Sequence, residues 1–435
     1  MGRIHMNFKK KLLLLATSAL AMLTLSACSK NSSSTDGKVA TNITKKTTVV
    51  FWHSMTGASE KCMKQYAAEF EKKHPNIHIK LENQGNYADL QSKINATLQS
   101  PKNLPTITQA YPGWLYDAAK LNKLVNLKPY IENSQIGWGS VAKSDIKDKL
   151  LLGAQIGGKQ YGIPFNKSSE VLFYNKDVFD KYNLKVPRNM SELAQCAKTI
   201  YKKSNHALVG AGVDELANYY ILSMKEQGID FDKNIDMTCP ESKKALNWYI
   251  KGLKEGYLQI ASANGYLSTD FGHQKVAMFI STCASEAYVK MGMGKNKFNY
   301  GVAPRPSKYN VQQGTDIYMF NKGTAEQKSA AFMFIKFMLS KRNQLKLAHA
   351  TGYMPVLNSI LKSDDYKCSK DSKVAGILDK TTANIYNLKI SKNENAAYFQ
   401  LKSSMQAILL AAKKGDSVVP VIKANQLKLA HCWKQ

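Results

Sequence analysis

Thr47-Thr48-Val49-Val50-Phe51 is the run on which the architecture turns: short, apolar and β-branched, it has the composition of a buried strand. It continues into Trp52-His53-Ser54-Met55-Thr56-Gly57, after which Cys62, Tyr66 and Phe70 recur on one face of a helix that Pro75 stops. Ile77, Ile79 and Leu81 alternate with His78 and Lys80, so a second strand follows. Gln84-Gly85-Asn86 then turns into a helix carrying Leu90, Ile94 and Leu98, and Thr106 to Ala110 reads as a third strand. Strand, helix, strand, helix, strand is the pattern of an open parallel sheet with helices on its faces. Ligands of such sheets bind beyond the carboxyl ends of the strands. Those ends are Trp52-His53-Ser54, Gln84 to Tyr87, and Tyr111-Pro112-Gly113-Trp114, rich in aromatic and small polar residues that suit a polyhydroxylated ligand.

Downstream, Tyr161 to Asn166 leads into Glu170 to Asn175, an extended run long enough to cross between two lobes. Helical stretches broken by Gly, Asn and Pro occupy residues 176–260. Val276 to Ile280 is another buried strand, ending in Ser281 to Ser285 before a helix from Glu286 to Met291. Ser285 is placed to cap that helix, where free N–H groups can receive a ligand oxygen. Gly314 to Asn321 reads as a return strand, and Ala325 to Leu339 as a helix apolar on most sides. Beyond Thr351-Gly352-Tyr353-Met354-Pro355 the pattern is helical to the end, with an apolar patch from Met405 to Ala412.

The chain has 435 residues, 61 Lys+Arg against 32 Asp+Glu and a net charge of +29. That length implies two or three domains, or two lobes of one body. With 44% hydrophobic and 21% charged residues, collagenous, fully disordered and polytopic membrane proteins are excluded. The lysines are spread along the chain rather than gathered into a stripe, which argues against nucleic acid as partner. The N-terminus supplies another reason for the charge. Arg3, Lys9, Lys10 and Lys11 precede the apolar run Leu12 to Leu25, too short for the roughly 20 residues of a permanent span. Leu25-Ser26-Ala27-Cys28 closes it and resembles the lipobox of bacterial lipoproteins, which makes residues 1–27 a signal peptide and Cys28 the lipidated residue. Residues 28–46 then read as the lipidated Cys and a flexible tether, and no later segment has a transmembrane pattern. Removal of the first 27 residues takes four positive charges and leaves +25 near an anionic envelope. The other cysteines, Cys62, Cys196, Cys239, Cys283, Cys368 and Cys432, show no CxxC spacing and read mostly as buried free thiols.

No Walker A sequence, GxSxG elbow, HExxH or Rossmann glycine fingerprint occurs. His74 and His78 are four apart, but Pro75 and the strand pattern remove them from a common helix face, so no metal ligand set is expected. No catalytic residues, cofactor or metal are therefore assigned, and the chain is not expected to be an enzyme.

A lipobox followed by this α/β pattern resembles the extracellular solute-binding proteins of ABC importers, family 1, with maltose-type and glycerol-3-phosphate-type members. The residues carrying the resemblance are Phe51-Trp52-His53-Ser54-Met55, Gln84-Gly85-Asn86-Tyr87, Pro164 to Ser168 with Leu172 to Lys176, Asn299 to Pro304, Gly314 with Asn321-Lys322, and Thr351 to Pro355. The resemblance implies a type II periplasmic-binding-protein-like fold. Two α/β lobes, each a mainly parallel sheet flanked by helices, are joined by crossing hinge strands: residues 47–163 with 314–350 as lobe 1, and 164–313 with 351–435 as lobe 2. It implies capture of a small polyol phosphate or carbohydrate between the lobes and delivery to separate permease subunits, by a monomer lipid-anchored on the extracellular face of the cell membrane. Trp52, Tyr87, Ser168, Ser285, Gly314 and Tyr353 match its ligand-contacting places. Two departures bear on the ligand. Pro112-Gly113 stands where the glycerol-3-phosphate type has an acidic residue, and Tyr398 to Lys402 offers only Lys402 where that type has a phosphate-binding arginine. A neutral sugar thus stays open beside a polyol phosphate. The alternative reading is a cell-surface carbohydrate-active enzyme or a wall-polymer-binding lipoprotein.

Overall fold

The computed structural model describes residues 39–138, 143–261, 266–295 and 297–434. The signal-peptide and Cys28 assignments lie outside the described residues. Strand β1 (Thr47–His53), helix α1 (Gly57–Lys73), β2 (Ile77–Asn83), α2 (Tyr87–Leu98) and β3 (Ile107–Ala110) follow one another in the expected alternation. β1 lies parallel between β2 and β3. Its side chains alternate: Val49 and Phe51 enter the core shared with Tyr66 and Phe70 of α1, while Trp52 joins Leu90 and Ile94 of α2 on the other face. Both faces are covered, as a parallel sheet requires. α2 starts at a capping box in which Asn86 and Asp89 satisfy each other's backbone N–H groups. Val39 and Ile43 pack against the first core and the side chain of Asn76 donates to the Ile43 carbonyl, so residues 39–46, expected in the tether, run against the body.

β4 (Gly162–Asn175) is the crossing strand. The second lobe follows with α3 (Met190–Lys203), β5 (Val209–Val213), α4 (Leu216–Glu226), α5 (Pro240–Lys254), β6 (Leu258–Ile260), α6 (Leu267–Gly272), β7 (Val276–Thr282), α7 (Glu286–Met293) and β8 (Tyr300–Pro304). The chain returns through β9 (Asn310–Met319) to α8 (Ala325–Met338) and α9 (Lys341–Thr351). The short β10 (Ile385–Tyr386) precedes α10 (Glu394–Lys414) and α11 (Val418–Lys434). The strand order is β2-β1-β3-β9-β4-β7-β5-β6, with β8 on β4 and β10 on β9.

Up to Ser169, β4 pairs antiparallel with β9, and from Glu170 onward it pairs with β7 and β8. One strand thus belongs to both sheets, the two-lobed α/β fold with crossing strands that the sequence led us to expect. β5 lies parallel to β6 and β7, and this second sheet is covered by α3, α4, α5 and α10 through Leu193, Tyr219, Tyr249, Met405 and Ile408. β9 begins at Asn310, four residues before the expected Gly314, because Asn310 and Val311 pair with β10. That pairing also interrupts the expected run of helix beyond Pro355. Among the described residues no helix is long and apolar enough to cross a membrane.

Candidate functional site

The polar floor of the cleft forms where β1, β3, β4 and β9 come together. Gln109 is the third residue of β3, fully buried, and its Oε1 accepts the Ser54 N–H at 3.0 Å. Its Nε2 donates to Asn166 Oδ1 at 3.0 Å, and the same oxygen accepts the Thr315 hydroxyl at 2.5 Å. Asn166 Nδ2 donates to the Tyr87 hydroxyl at 3.2 Å. Each amide is oriented by the others, so the floor is built before any ligand arrives.

Three aromatic rings stand beside this floor. Tyr87 meets Tyr111 at 5.5 Å and Trp114 at 6.1 Å edge to face, and Tyr111 and Trp114 lie tilted at 5.2 Å. Tyr111 precedes the 3-10 turn Pro112–Leu115 that follows β3, and Trp114 is part of that turn. Burial pushes the Tyr87 hydroxyl up to about 12. It also raises that of Tyr111, which feels Tyr353, Glu215 and Asp316 and, across the cleft, Tyr266.

The opposing wall comes from the ends of β5 and β7 and from α10. Asp214 accepts the Leu267 N–H at 2.9 Å, and burial pushes its carboxyl up to about 6. Glu215 pairs with Lys402 of α10 at 2.7 Å. The Tyr398 hydroxyl donates to Asn218 Oδ1 at 2.8 Å, and Asn218 donates onward to Glu170 at 2.9 Å. Glu170 lies 3.4 Å from the buried Arg305. Lys402 is thus paired with Glu215, while Arg305 lies near Glu170 with its Nε and Nη1 making no hydrogen bond among the described residues.

Of the six residues matched from sequence, Tyr87 and Tyr353 meet at this floor, the Tyr353 hydroxyl interacting with Asn166 and Tyr87. Ser168 is a buried residue of β4 opposite Gln313. Ser285 is also buried, with its hydroxyl 2.7 Å from that of Ser281. It does not cap α7 as expected. Its backbone is already helical (φ −68°, ψ −13°), so its side chain caps no N–H, and Thr282 caps the preceding turn instead. The ring of Trp52 is 5% exposed in the helix-covered core and its indole N–H donates to Glu82 at 2.8 Å, so the structure does not bring it to the floor. Gly314 contributes backbone: its carbonyl accepts the Lys167 ammonium at 3.0 Å. Sequence reasoning missed Gln109, Asn166, Thr315 and Glu215 as site residues. Tyr111 and Trp114 were signalled by their place after a strand, but the buried amides look like any polar residue within a strand.

With this geometry in view, known proteins supply the class. The family described as bacterial extracellular solute-binding protein matches residues 65–375. The chain belongs to that family, whose members are the solute-binding proteins of ABC importers. Among curated relatives, the sn-glycerol-3-phosphate-binding periplasmic protein UgpB of Escherichia coli strain K12 is 25% identical over 341 residues, 71% of this chain and 74% of that protein. Among solved structures, MalE, the sugar-binding protein of Xanthomonas citri, superposes with a TM-score of 0.75 at 18% identity, covering 89% of this chain and 98% of that one. UgpB of Mycobacterium tuberculosis in complex with glycerophosphocholine gives 0.73 at 19% identity, covering 89% and 98%. These structural likenesses establish the two-lobed fold.

Proposed function

We propose that this chain is the lipid-anchored capture component of an ABC importer on the extracellular face of the membrane, and that its cleft takes a neutral carbohydrate. The observation that carries the ligand class is the wall of Tyr87, Tyr111 and Trp114 beside the amide floor of Gln109 and Asn166. Aromatic faces cover the carbon-bound hydrogens of a sugar ring, and the amides and the Tyr353 hydroxyl receive its hydroxyls. Ser168 and Ser285 complete the proposed contacts, while Trp52 and Gly314 shape the strands beneath them. The lobes divide as 47–163 with 314–350 and 164–313 with 351–435, and a monomer presents the closed pair to separate permease subunits. Cleavage before Cys28 and lipidation of that residue anchor the chain.

A polyol phosphate is the second reading, favoured by the 25% identity to the glycerol-3-phosphate-binding protein of Escherichia coli. Against it, Lys402 is held by Glu215. Thermal unfolding of the purified chain with maltose, maltotetraose, tagatose, glycerol 3-phosphate and glycerophosphocholine separates the two, because a ligand at 100 times its Kd adds about 2.7 kcal/mol of stability. One neutral sugar is expected to raise Tm, to do so equally at high salt, and to lose the effect in Tyr111→Ala. A larger shift with glycerol 3-phosphate than with any sugar transfers the assignment to the second reading; no shift with any of the five removes both. Mass spectrometry of the membrane-extracted protein checks the diacylglycerol on Cys28, and Cys28→Ala is expected to release it into the medium.

A further inference from the structure

Gly113 has no side chain, and the space one would fill is taken by a carboxyl from the other lobe. A Cβ placed on Gly113 falls 2.6 Å from Oε2 of Glu394. Glu394 is the first residue of the 21-residue helix α10, whose Ala397, Leu401 and Met405 are built into the core of the second lobe. Gly113 belongs to the turn that carries Trp114 and follows Tyr111. The contact therefore joins the two lobes at the edge of the aromatic wall.

Glu394 is 7% exposed, and no hydrogen bond or ion pair to its carboxyl is found among the described residues. Burial alone pushes the group up to about 7. A desolvated carboxyl without a partner is costly, and such a group in a cleft is a candidate for contact with what the cleft binds. The groups around it do not neutralise it. Tyr398, four residues on along its helix, is the group that feels Glu394, together with Glu215 from the end of β5, Glu170 from β4 and Tyr111 from the turn after β3, and Glu215 holds Lys402. Lys392 precedes it in the chain. The tyrosine hydroxyls stay protonated at neutral pH.

We propose that Glu394 is a specificity-determining ligand contact: its carboxylate accepts hydrogen bonds from hydroxyls of a neutral solute lying against Tyr111 and Trp114, and it turns away solutes bearing a phosphate there. This rests on the carbohydrate reading above. The carboxyl already stands against the turn at Gly113, so a ligand with hydroxyls on that side meets it where the second lobe touches the first, and an anion is turned away.

The test is isothermal titration of the wild-type chain and Glu394→Gln with maltose, maltotetraose, tagatose and glycerol 3-phosphate at pH 6, 7 and 8. For the neutral sugar that binds, wild-type affinity is expected to rise with pH as Glu394 ionises, and Glu394→Gln to bind at least tenfold more weakly at pH 8 with that rise much reduced. Burial also pushes Asp214 up to about 6, and the difference between the two proteins isolates Glu394 from it. Glycerol 3-phosphate is expected to gain affinity in Glu394→Gln. If sugar affinity in Glu394→Gln stays within twofold of wild type at pH 8, the inference fails while the carbohydrate reading stands. If wild type prefers glycerol 3-phosphate, both fail. A second variant, Gly113→Ala, is expected to weaken sugar binding by displacing Glu394, with the far-UV circular dichroism unchanged; unaltered binding counts against the contact.

Discussion

The ammonium of Lys167 lies 3.0 Å from the carboxylate of Asp316, both fully buried where β4 and β9 pass between the lobes. Burial pulls the lysine down and pushes the aspartate up, and each charge offsets the other's shift. Lys167 also donates to the Gly314 carbonyl, and its own carbonyl accepts the Met354 N–H at 2.8 Å, so three crossing segments meet at one ion pair.

Breaking that pair on one side leaves an uncompensated buried charge. Lys167→Met is expected to cost about 3–5 kcal/mol in urea unfolding, and Lys167→Met with Asp316→Leu to recover most of the loss. A single variant as stable as wild type would mean that the pair contributes nothing.

Gly314 sits at φ +84°, and a Cβ there would lie 2.1 Å from the Asn166 carbonyl. Gly415 has a similar φ of +86° with open space around it. Gly415→Ala is expected to lose about 1 kcal/mol, the cost of the left-handed backbone, and Gly314→Ala about 3 kcal/mol or more as the clash adds to it. Because Asn166 anchors the floor, Gly314→Ala should also lose ligand binding. Equal Tm values for the two variants would contradict this.

Glu394 links stability to pH with a definite sign. Its folded value of about 7 lies above the ordinary 4.5, so the native state holds the proton more tightly than the unfolded chain. Stability from this group is full below pH 4.5 and falls as pH rises to about 7, by about 3 kcal/mol in all. Glu394→Gln is therefore expected to match wild type at pH 4.5 and exceed it at pH 8. Parallel pH profiles would remove the buried charge from the account.

Cys62, Cys196, Cys239, Cys283, Cys368 and Cys432 are all free. Cys62 and Cys283 are buried and Cys368 is exposed, so the expectation of buried thiols holds for two of the six. Burial pushes Cys283 up to about 11. Titration with a chromogenic disulfide is expected to show Cys368 reacting first and Cys62 and Cys283 only on unfolding, six thiols in total for a protein whose Cys28 is lipidated.

Local pattern was enough for the secondary structure near the site. The β-branched run at Thr47, the alternation from Ile77 and the turn at Gln84-Gly85-Asn86 each carry their own periodicity or chemistry, and the elements formed where those signals lie. Ser285 shows the limit of such reading, because capping depends on a backbone angle that residue type does not set.

By itself, the sequence determined the alternating α/β pattern, the extended run from Tyr161 to Asn175 and the aromatic ends of the first strands, because hydrophobic period and strand-end position are local properties of the chain. The two lobes were what the family resemblance implied. Only the tertiary structure decided which polar residues share the cleft. Gln109 finds Asn166 and Thr315, and Glu394 finds Gly113, through contacts between segments far apart in the chain. Lys402, the one base the sequence offered for a phosphate, is taken by Glu215 in the same way. Burial and pairing set the charge of a site, and both are made by packing between distant segments, which no local pattern records.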